Sequence, residues 1–248
     1  MQTATKGIVI RSKSMGDDRL VTLLTPDFGV VNAIARNANK PRSKLTSSTE
    51  QFCYSSLILF RYRDNTTVDS AEVENSFFGL RADLEGLALA SYLSELCCEI
   101  APKEEEATEY LRLLLNSLHL IQKRGRPLSQ IKAIFELRLL TLSGFMPDLT
   151  GCNACGEFKE SGMAFSVETG ELYCKGCIPS GQYLKELSPG VLAAMRHIIY
   201  SDFEKLFSFS LAPNGLKELS KICETYLKYH VQHTYTSLNF YHSVATEG

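Results

Sequence analysis

Two cysteine pairs constrain the fold of this 248-residue chain more than any other feature. Each pair has the spacing Cys-x-x-Cys, in Cys152–Cys155 and in Cys174–Cys177, and residues 156–173 separate the pairs. Two residues between thiolates allow one tight turn to direct both sulfurs at a single ion, and this separation is typical of zinc sites. Residues 163–167 and 171–173 favour a hairpin between the pairs. The sequence therefore predicts a zinc ribbon at about residues 150–180.

Four cysteine ligands, Cys152, Cys155, Cys174 and Cys177, would fill a tetrahedral shell around one Zn²⁺ and leave no position for water. The predicted metal is therefore structural and not catalytic. A pair of redox disulfides, or unrelated thiols, is the alternative, and it is less common in a reducing cytoplasm.

Two glycines, Gly156 and Gly176, are expected to supply the unusual backbone angles that such cysteine turns require. The other four cysteines are interpreted as buried free thiols. They are Cys53, Cys97, Cys98 and Cys223.

The first 75 or so residues are rich in β-branched and aromatic side chains and are divided by turn residues. Five short strands in such a segment predict a small closed barrel of the OB-fold type, although an SH3-like barrel would give nearly the same pattern. The predicted strands are residues 6–11, 19–25, 30–36, 52–63 and 66–73.

After Leu80 the apolar residues recur at helical spacing. The pattern predicts helices at residues 83–100, 104–123 and 127–143, another that opens at Ser188-Pro189, and a last one from about Asn214 to Tyr229. The predicted fold class is α+β. An OB-fold domain over residues 1–79 precedes a helical domain over residues 80–248 that carries the zinc insertion.

Charge is distributed unevenly along the chain. Residues 1–63 carry ten Lys/Arg and four Asp/Glu, a balance of +6, whereas the remainder carries sixteen and twenty-four, a balance of −8. A basic amino-terminal piece favours a polyanionic partner. Its densest part, called the basic loop below, is residues 36–44, which contain Arg36, Lys40, Arg42 and Lys44.

A mobile basic loop that leaves a barrel strand can follow a row of phosphates, so these four residues are the first candidates for DNA binding. Further cations of the barrel are expected to extend the groove, and three aromatic residues could stack on bases. For each of them, a solvated surface charge or a core aromatic is the alternative. The further cations are Arg11, Arg19, Arg61 and Arg63, and the aromatic residues are Phe52, Tyr54 and Tyr62.

Several segments in order along the chain resemble RecO proteins. They are residues 16–29, Ala35-Arg36, residues 42–45, Gln51-Phe52, the cysteine pairs, and the closing residues 226–230 with Ser237 and Phe240. The chain departs from the family pattern at Asn37, where a glycine is usual, and near Met15, where an aromatic residue is usual.

The resemblance implies an OB-fold domain, a helical domain and a zinc module in a protein without enzymatic turnover. Such proteins bind single- and double-stranded DNA, anneal complementary strands, and help load recombinase with RecR on strands coated by single-strand-binding protein (SSB). The acidic SSB tail docks on the helical domain, and Arg124 and Arg126 are candidates for receiving it. Ordinary helix-end charge is the alternative for both arginines.

Two other function classes are considered. A hydrolase or transferase is disfavoured because the sequence has no phosphate-binding loop, no nucleophile elbow and no His-Glu-x-x-His pair. A zinc-ribbon scaffold that binds only proteins is the main alternative. With no secretory signal and no long apolar run, the expected location is the cytoplasm, in association with the nucleoid, and no membrane partner is expected.

Overall fold

The computed structural model describes the chain except for residues 64, 160, 182–183 and 246–248. The chain forms two compact units. The first contains Met1–Gly125 together with the segment that begins at Tyr235, and the second runs from Arg126 to Thr234. Within the described residues, no helix has both the length and the apolar character that crossing a bilayer requires.

Five strands of the first unit form a closed barrel. Inward-facing aliphatic side chains such as Val21, Leu23 and Val68 alternate with exposed residues and form its core. The first, second and fifth strands extend past their predicted bounds, because polar residues at their ends still form ladder pairs. The third strand is shifted by one residue, and the fourth is shorter than predicted at both ends. The five strands are β1 (Gln2–Met15), β2 (Asp18–Thr25), β3 (Gly29–Ala35), β4 (Tyr54–Tyr62) and β5 (Asn65–Asn75).

Strand β1 closes the barrel because it pairs with two strands. Its second half, from Ile8 to Met15, pairs antiparallel with β2, and its first half, from Gln2 to Ile8, pairs antiparallel with β4. The order around the barrel is β1-β2-β3-β5-β4, and β3 and β5 are parallel where Ile34 meets Thr67. This order is that of a five-stranded Greek-key barrel, so the OB-fold prediction is confirmed.

Two helices follow the barrel, after a short 3-10 helix (Phe78–Ala82). Helix α1 (Leu84–Ile100) starts as predicted, because the Asp83 carboxylate accepts a hydrogen bond from the Gly86 amide at 3.1 Å and caps the first turn. Helix α2 (Thr108–Lys123) begins four residues later than predicted.

The late start of α2 has a cause in the barrel. The chain before it bonds to the β2–β3 turn and not to itself. The Glu104 amide donates to the Phe28 carbonyl at 3.0 Å, and the Ala107 amide donates to the Pro26 carbonyl at 2.7 Å. Glu104 also has a φ of 62°, outside the right-handed helical region, so the segment held by these bonds cannot be the first turn of α2.

The second unit combines three helices with a small sheet. Helices α3 (Leu128–Leu142), α4 (Pro189–Tyr200) and α5 (Pro213–Val231) match the predicted ones within a few residues. Proline stands in the first turn of α4 and α5, where its missing amide costs no hydrogen bond. The sheet has the order β6-β8-β7-β9, with β6 (Asp148–Cys152), β7 (Met163–Phe165), β8 (Glu171–Cys174) and β9 (Lys185–Glu186).

The predicted hairpin between the cysteine pairs is present as antiparallel β7 and β8. The flanking strands β6 and β9 are too short to show a periodic pattern of apolar residues in the sequence. Helix α6 (Thr236–Val244) was also not predicted, since its nine residues contain little apolar repeat. It belongs to the first unit, where the Ser237 hydroxyl donates to the Glu95 carboxylate of α1.

A buried ionic cluster joins α3 to α5 in the second unit. The Lys132 ammonium lies 2.9 Å from Glu136 and 2.7 Å from Glu224, and the Lys132 and Glu136 side chains are 1% and 0% exposed. Burial would by itself lower the pKa of Lys132, but the two carboxylates outweigh it and raise that pKa. The cluster is therefore charged and mutually compensated.

We predict that Lys132→Met lowers the free energy of unfolding by about 3–5 kcal/mol, because it removes the buried ammonium that compensates Glu136, whereas Glu224 keeps its ion pair with Lys228. Urea unfolding followed by circular dichroism measures the change. Lys221→Met on the exposed face of α5 is the matched control and should alter it by less than about 0.5 kcal/mol. A loss below about 1 kcal/mol for Lys132→Met would contradict this account of the cluster.

Candidate metal centre and nucleic-acid interface

The four predicted cysteine ligands lie together. One ligand atom from each of Cys152, Cys155, Cys174 and Cys177 is within 4.8 Å of the others. The sheet explains why: each pair begins at the end of a strand, Cys152 on β6 and Cys174 on β8. Because β6 and β8 are parallel, their carboxyl ends lie at the same edge of the sheet. The parallel pairing of β6 with β8 therefore brings together two cysteine pairs that are distant in sequence.

Each cysteine pair is a hydrogen-bonded turn. The Gly156 amide donates to the Cys152 carbonyl at 2.8 Å, and the Cys177 amide donates to the Cys174 carbonyl at 2.9 Å. Gly156 has a φ of 72°, as expected, but Gly176 is not among the residues with positive φ. The expectation for Gly176 is wrong, because the second turn closes without a left-handed residue.

The geometry of this cysteine cluster suits a tetrahedral metal. Ligand sulfurs at about 2.3 Å from a zinc ion are about 3.8 Å apart, and the Cys155 and Cys174 Sγ atoms are 3.9 Å apart. Four thiolates are ligands for soft metals such as zinc or iron, and not for magnesium or calcium. The cluster fits a closed structural site with no open coordination position.

The protein environment already favours one thiolate. The Cys174 amide donates to Cys152 Sγ at 3.4 Å, and this bond lowers the pKa of the Cys152 thiol to about 6. Without a metal, hydrogen bonds with the neighbouring thiols of Cys174 and Cys155 raise the pKa of Cys177. Metal binding would therefore release protons from part of the cluster.

Arg196 of α4 anchors the first cysteine turn within the second unit. Its Nε donates to the Leu149 carbonyl of β6 at 2.8 Å, and its guanidinium lies 4.2 Å from the centre of the Phe158 ring. Sequence reasoning missed this residue because it lies some 40 residues from the turn it holds.

The basic loop leaves β3 and bends back over the L12 turn between β1 and β2. Asn37 begins it in the left-handed conformation, with φ at 55°, and its amide donates to the Asp18 carboxylate at 2.7 Å. Asparagine adopts this conformation more readily than other side chains do. The substitution of the usual glycine therefore preserves a bend that glycine would also allow.

Arg19 ties the loop to the barrel. Its guanidinium donates to Asn39 Oδ1 at 3.0 Å, to the Thr46 carbonyl at 2.9 Å and to Thr49 Oγ1 at 3.1 Å. The Asn39 amide group in turn donates to the carbonyls of Gly16 and Asp18. Arg19 was predicted to contact DNA, and the structure instead places its donors on protein acceptors. The sequence showed no signal for Asn39.

Three predicted cations of the loop have exposed side chains without acidic partners. Among the described residues, none forms an ion pair with Arg36, Arg42 or Lys44, whereas Lys40 lies 3.3 Å from Asp17. Arg42 has a φ of 66°, an uncommon conformation for a side chain of this size. The loop therefore presents positive charge that the protein itself does not neutralise.

The remaining predicted barrel cations are spread over its surface. Arg11 is exposed on β1, Arg61 lies 3.4 Å from Glu104, and Arg63 lies over the Tyr62 ring at 5.3 Å from its centre. Of the aromatic candidates, Tyr62 is exposed and Tyr54 is half-buried.

The stacking prediction for Phe52 is wrong. This side chain is 3% exposed, and its backbone pairs with Val9, which turns the ring into the protein. The alternative interpretation of a core aromatic therefore applies.

The two arginines considered for a partner tail lie in different compact units. Arg124 ends α2 and pairs with Asp83 at 2.5 Å, and Arg126 begins the second unit, where its Nε donates to the Phe207 carbonyl at 2.9 Å. Each has a contact within its own unit, and their role in tail binding stays a prediction.

Comparisons with known proteins agree over nearly the whole chain. The family model described as Recombination protein O N terminal matches residues 1–77, and Recombination protein O C terminal matches residues 81–239. The DNA repair protein RecO of Acetivibrio thermocellus is 34% identical over 95% of this chain and 94% of its own length. Those of Symbiobacterium thermophilum and Heliobacterium modesticaldum are 32% and 33% identical over 89% and 88% of this chain, and over 89% and 81% of their own lengths.

We predict that the purified protein carries one metal ion per chain and that Cys174→Ser loses most of it, because a buried ligand is removed from a four-sulfur shell. Elemental analysis of the protein after dialysis measures the stoichiometry and identifies the metal. Cys98→Ser, a half-buried cysteine outside the cluster, is the control and should retain the metal. Equal metal content in both variants would exclude the cluster as the binding site.

Proposed function

Because the chain belongs to the recombination protein O family, whose role is in DNA repair and recombination, we propose that its barrel binds single- and double-stranded DNA and that the protein anneals complementary strands. The observation that carries the proposal is the basic loop. Arg36, Arg42 and Lys44 project from an OB-fold barrel with no acidic partner among the described residues. Charges that the protein leaves uncompensated are available to phosphates.

The mechanism is electrostatic. Cations of the loop and of the barrel surface neutralise phosphates and release their counterions, so affinity falls as salt rises. Two strands held on one positive surface repel each other less, and base pairing then selects the matching partner. In this scheme Arg19 and Asn39 position the loop, and the other predicted residues contact phosphates. Those residues are Arg11, Arg36, Lys40, Arg42, Lys44, Arg61 and Arg63.

The metal of the cysteine cluster is zinc in this proposal, and its role is structural. A filled four-sulfur shell ties the turns that follow β6 and β8 to each other and so stabilises the small sheet. Cys152, Cys155, Cys174 and Cys177 would hold the ion, and none of them would touch DNA.

The partners follow from the family and from the predicted surfaces. We propose that the protein acts with RecR to help load recombinase on SSB-coated single strands, and that the acidic SSB tail docks near Arg124 or Arg126. The positive charge of both arginines and the half-buried, apolar Leu120 near Arg124 support this assignment, whereas Ile121 is buried. We further propose a non-enzymatic protein of the cytoplasm, associated with the nucleoid, with functional domains at residues 1–79 and 80–248.

The decisive test is the salt dependence of DNA binding. The double variant R42E/K44E should bind a single-stranded oligonucleotide more weakly, and the slope of log affinity against log salt should become shallower by about 1.4, since each lost phosphate contact removes about 0.7. Fluorescence anisotropy titrations over a range of salt concentrations measure both quantities. Strand annealing should slow in parallel.

The matched control is K217E/K221E, which makes the same change in charge on the exposed face of α5 in the second unit. It should leave the slope unchanged. If the wild-type protein does not bind oligonucleotides even at low salt, DNA binding by this chain is excluded. A zinc-ribbon scaffold for protein partners then becomes the better description.

A further inference from the structure

Two exposed aromatic side chains lie near the end of β4 on the outside of the barrel. Phe60 is 42% exposed and Tyr62 is 60% exposed, although large apolar side chains on a sheet are usually covered. Since side chains two apart on a strand point to the same face, the two rings share one outer surface. Phe60 was not among the candidates taken from the sequence.

The strand register extends this surface across the barrel as one row. Phe60 of β4 is opposite Thr67 of β5, and Thr67 is opposite Ile34 of β3. Ile34 is opposite Leu20 of β2, which is opposite Lys13 of β1. The middle residues of the row are half-exposed, and it contains no acidic side chain.

The row has the dimensions of a short nucleic-acid path. Neighbouring strands are about 4.8 Å apart, so Phe60 and Leu20 are separated by three strand spacings, or about 14 Å. That length accommodates a few nucleotides, consistent with the site sizes of OB-folds. We refer to Phe60, Tyr62, Thr67, Ile34 and Leu20 as the aromatic row.

Cations lie at both ends of the aromatic row and beside its middle. The Arg63 guanidinium lies over the Tyr62 ring at 5.3 Å from its centre, and Arg36 follows β3 directly after Ile34 and Ala35. Lys13 is exposed at the β1 end. An apolar strip flanked by positive charge is complementary to a strand that has stackable bases along one side and phosphates along the other.

We infer that the aromatic row is a stacking platform for unpaired bases of single-stranded DNA, with Phe60 and Tyr62 each taking one base. This inference rests on the proposed function and deepens it. The basic loop binds phosphates of any DNA, whereas the row gives the barrel a preference for single strands. Residues two apart on a strand are about 6.6 Å apart, and stacked bases in a duplex about 3.4 Å, so only a strand that can unstack fits both rings.

The first experiment compares three DNA probes of equal length on F60A/Y62A and on the wild type. They are single-stranded oligothymidylate, the same backbone with abasic sites, and a duplex. Affinity for oligothymidylate should fall about 30-fold or more, because stacking of two bases on the two rings is lost. Affinity for the abasic strand and the duplex should stay within about twofold, and the salt slope should not change, since no phosphate contact is removed.

The matched control is Phe78→Ala, which removes another exposed aromatic ring, 73% exposed, with Arg81 lying over it at 5.5 Å. Phe78 lies in the 3-10 helix outside the row and should have no effect on any probe. Tyr62→Phe keeps the ring and should bind oligothymidylate as the wild type does. Far-UV circular dichroism and thermal melting verify that each variant is folded.

A second measurement reports stacking directly. The chain has no tryptophan, so Tyr62→Trp introduces a single indole at the row. Its fluorescence should be quenched when oligothymidylate binds, and much less when the abasic strand binds at equal saturation. The variant also keeps a flat ring, so it should retain affinity.

The outcomes separate the two levels of the proposal. Equal affinity of F60A/Y62A and the wild type for oligothymidylate, or no difference in quenching between the two strands, overturns the platform and leaves DNA binding by the basic loop intact. Absence of any DNA binding by the wild type overturns the proposed function and the platform together. A selective loss on single strands, with the duplex unchanged, supports the platform.

Discussion

The double pairing of β1 is the constraint on which the architecture of the first unit depends. One strand of 14 residues pairs with β2 along its second half and with β4 along its first, so the sheet has no free edge there. Closure places the start of β5 beside the end of β3, although the two strands are distant in sequence. As a result, the exit of the basic loop and the aromatic residues of β4 occupy adjoining parts of one surface.

A second dependence lies within the basic loop. Cations that repel one another would favour an extended chain, but Arg19 and Asn39 hold the loop against the L12 turn through neutral acceptors. Arg19 therefore donates to backbone, hydroxyl and amide oxygens of the protein. The positive charges of Arg36, Arg42 and Lys44 stay available to a polyanionic partner. The cysteine cluster uses a similar arrangement, since parallel β6 and β8 bring its ligands together and Arg196 anchors its first turn. In both places a buried or half-buried arginine organises a site in which it is not itself a ligand.

Much of the fold could be predicted because its signals are local. Runs of β-branched and aromatic residues between turn residues indicated the five barrel strands, helical spacing indicated the long helices, and the cysteine spacing indicated the cluster. The failures have physical causes as well. The predicted start of α2 is four residues early because Glu104 is left-handed and backbone donors at residues 104–107 bond to the β2–β3 turn. Phe52, a candidate for base stacking with a core role as the alternative, is buried. Short elements such as β9 and α6 depend on contacts with distant segments, and their few residues show little periodic pattern of apolar side chains.

The sequence by itself determined the two classes of chemistry in this protein: four thiols at metal-binding spacing and an excess of positive charge in the first 63 residues. Both are properties of residue type and of short spacing, which require no knowledge of the fold. Only the tertiary structure decided which cations are available to a partner. Arg19 and Arg42 are the same residue type in the sequence, but the guanidinium of Arg19 donates to protein acceptors and the side chain of Arg42 is exposed. It also decided that Phe60 shares a surface with Ile34 and Leu20, since strand register, and not sequence distance, determines which side chains are neighbours.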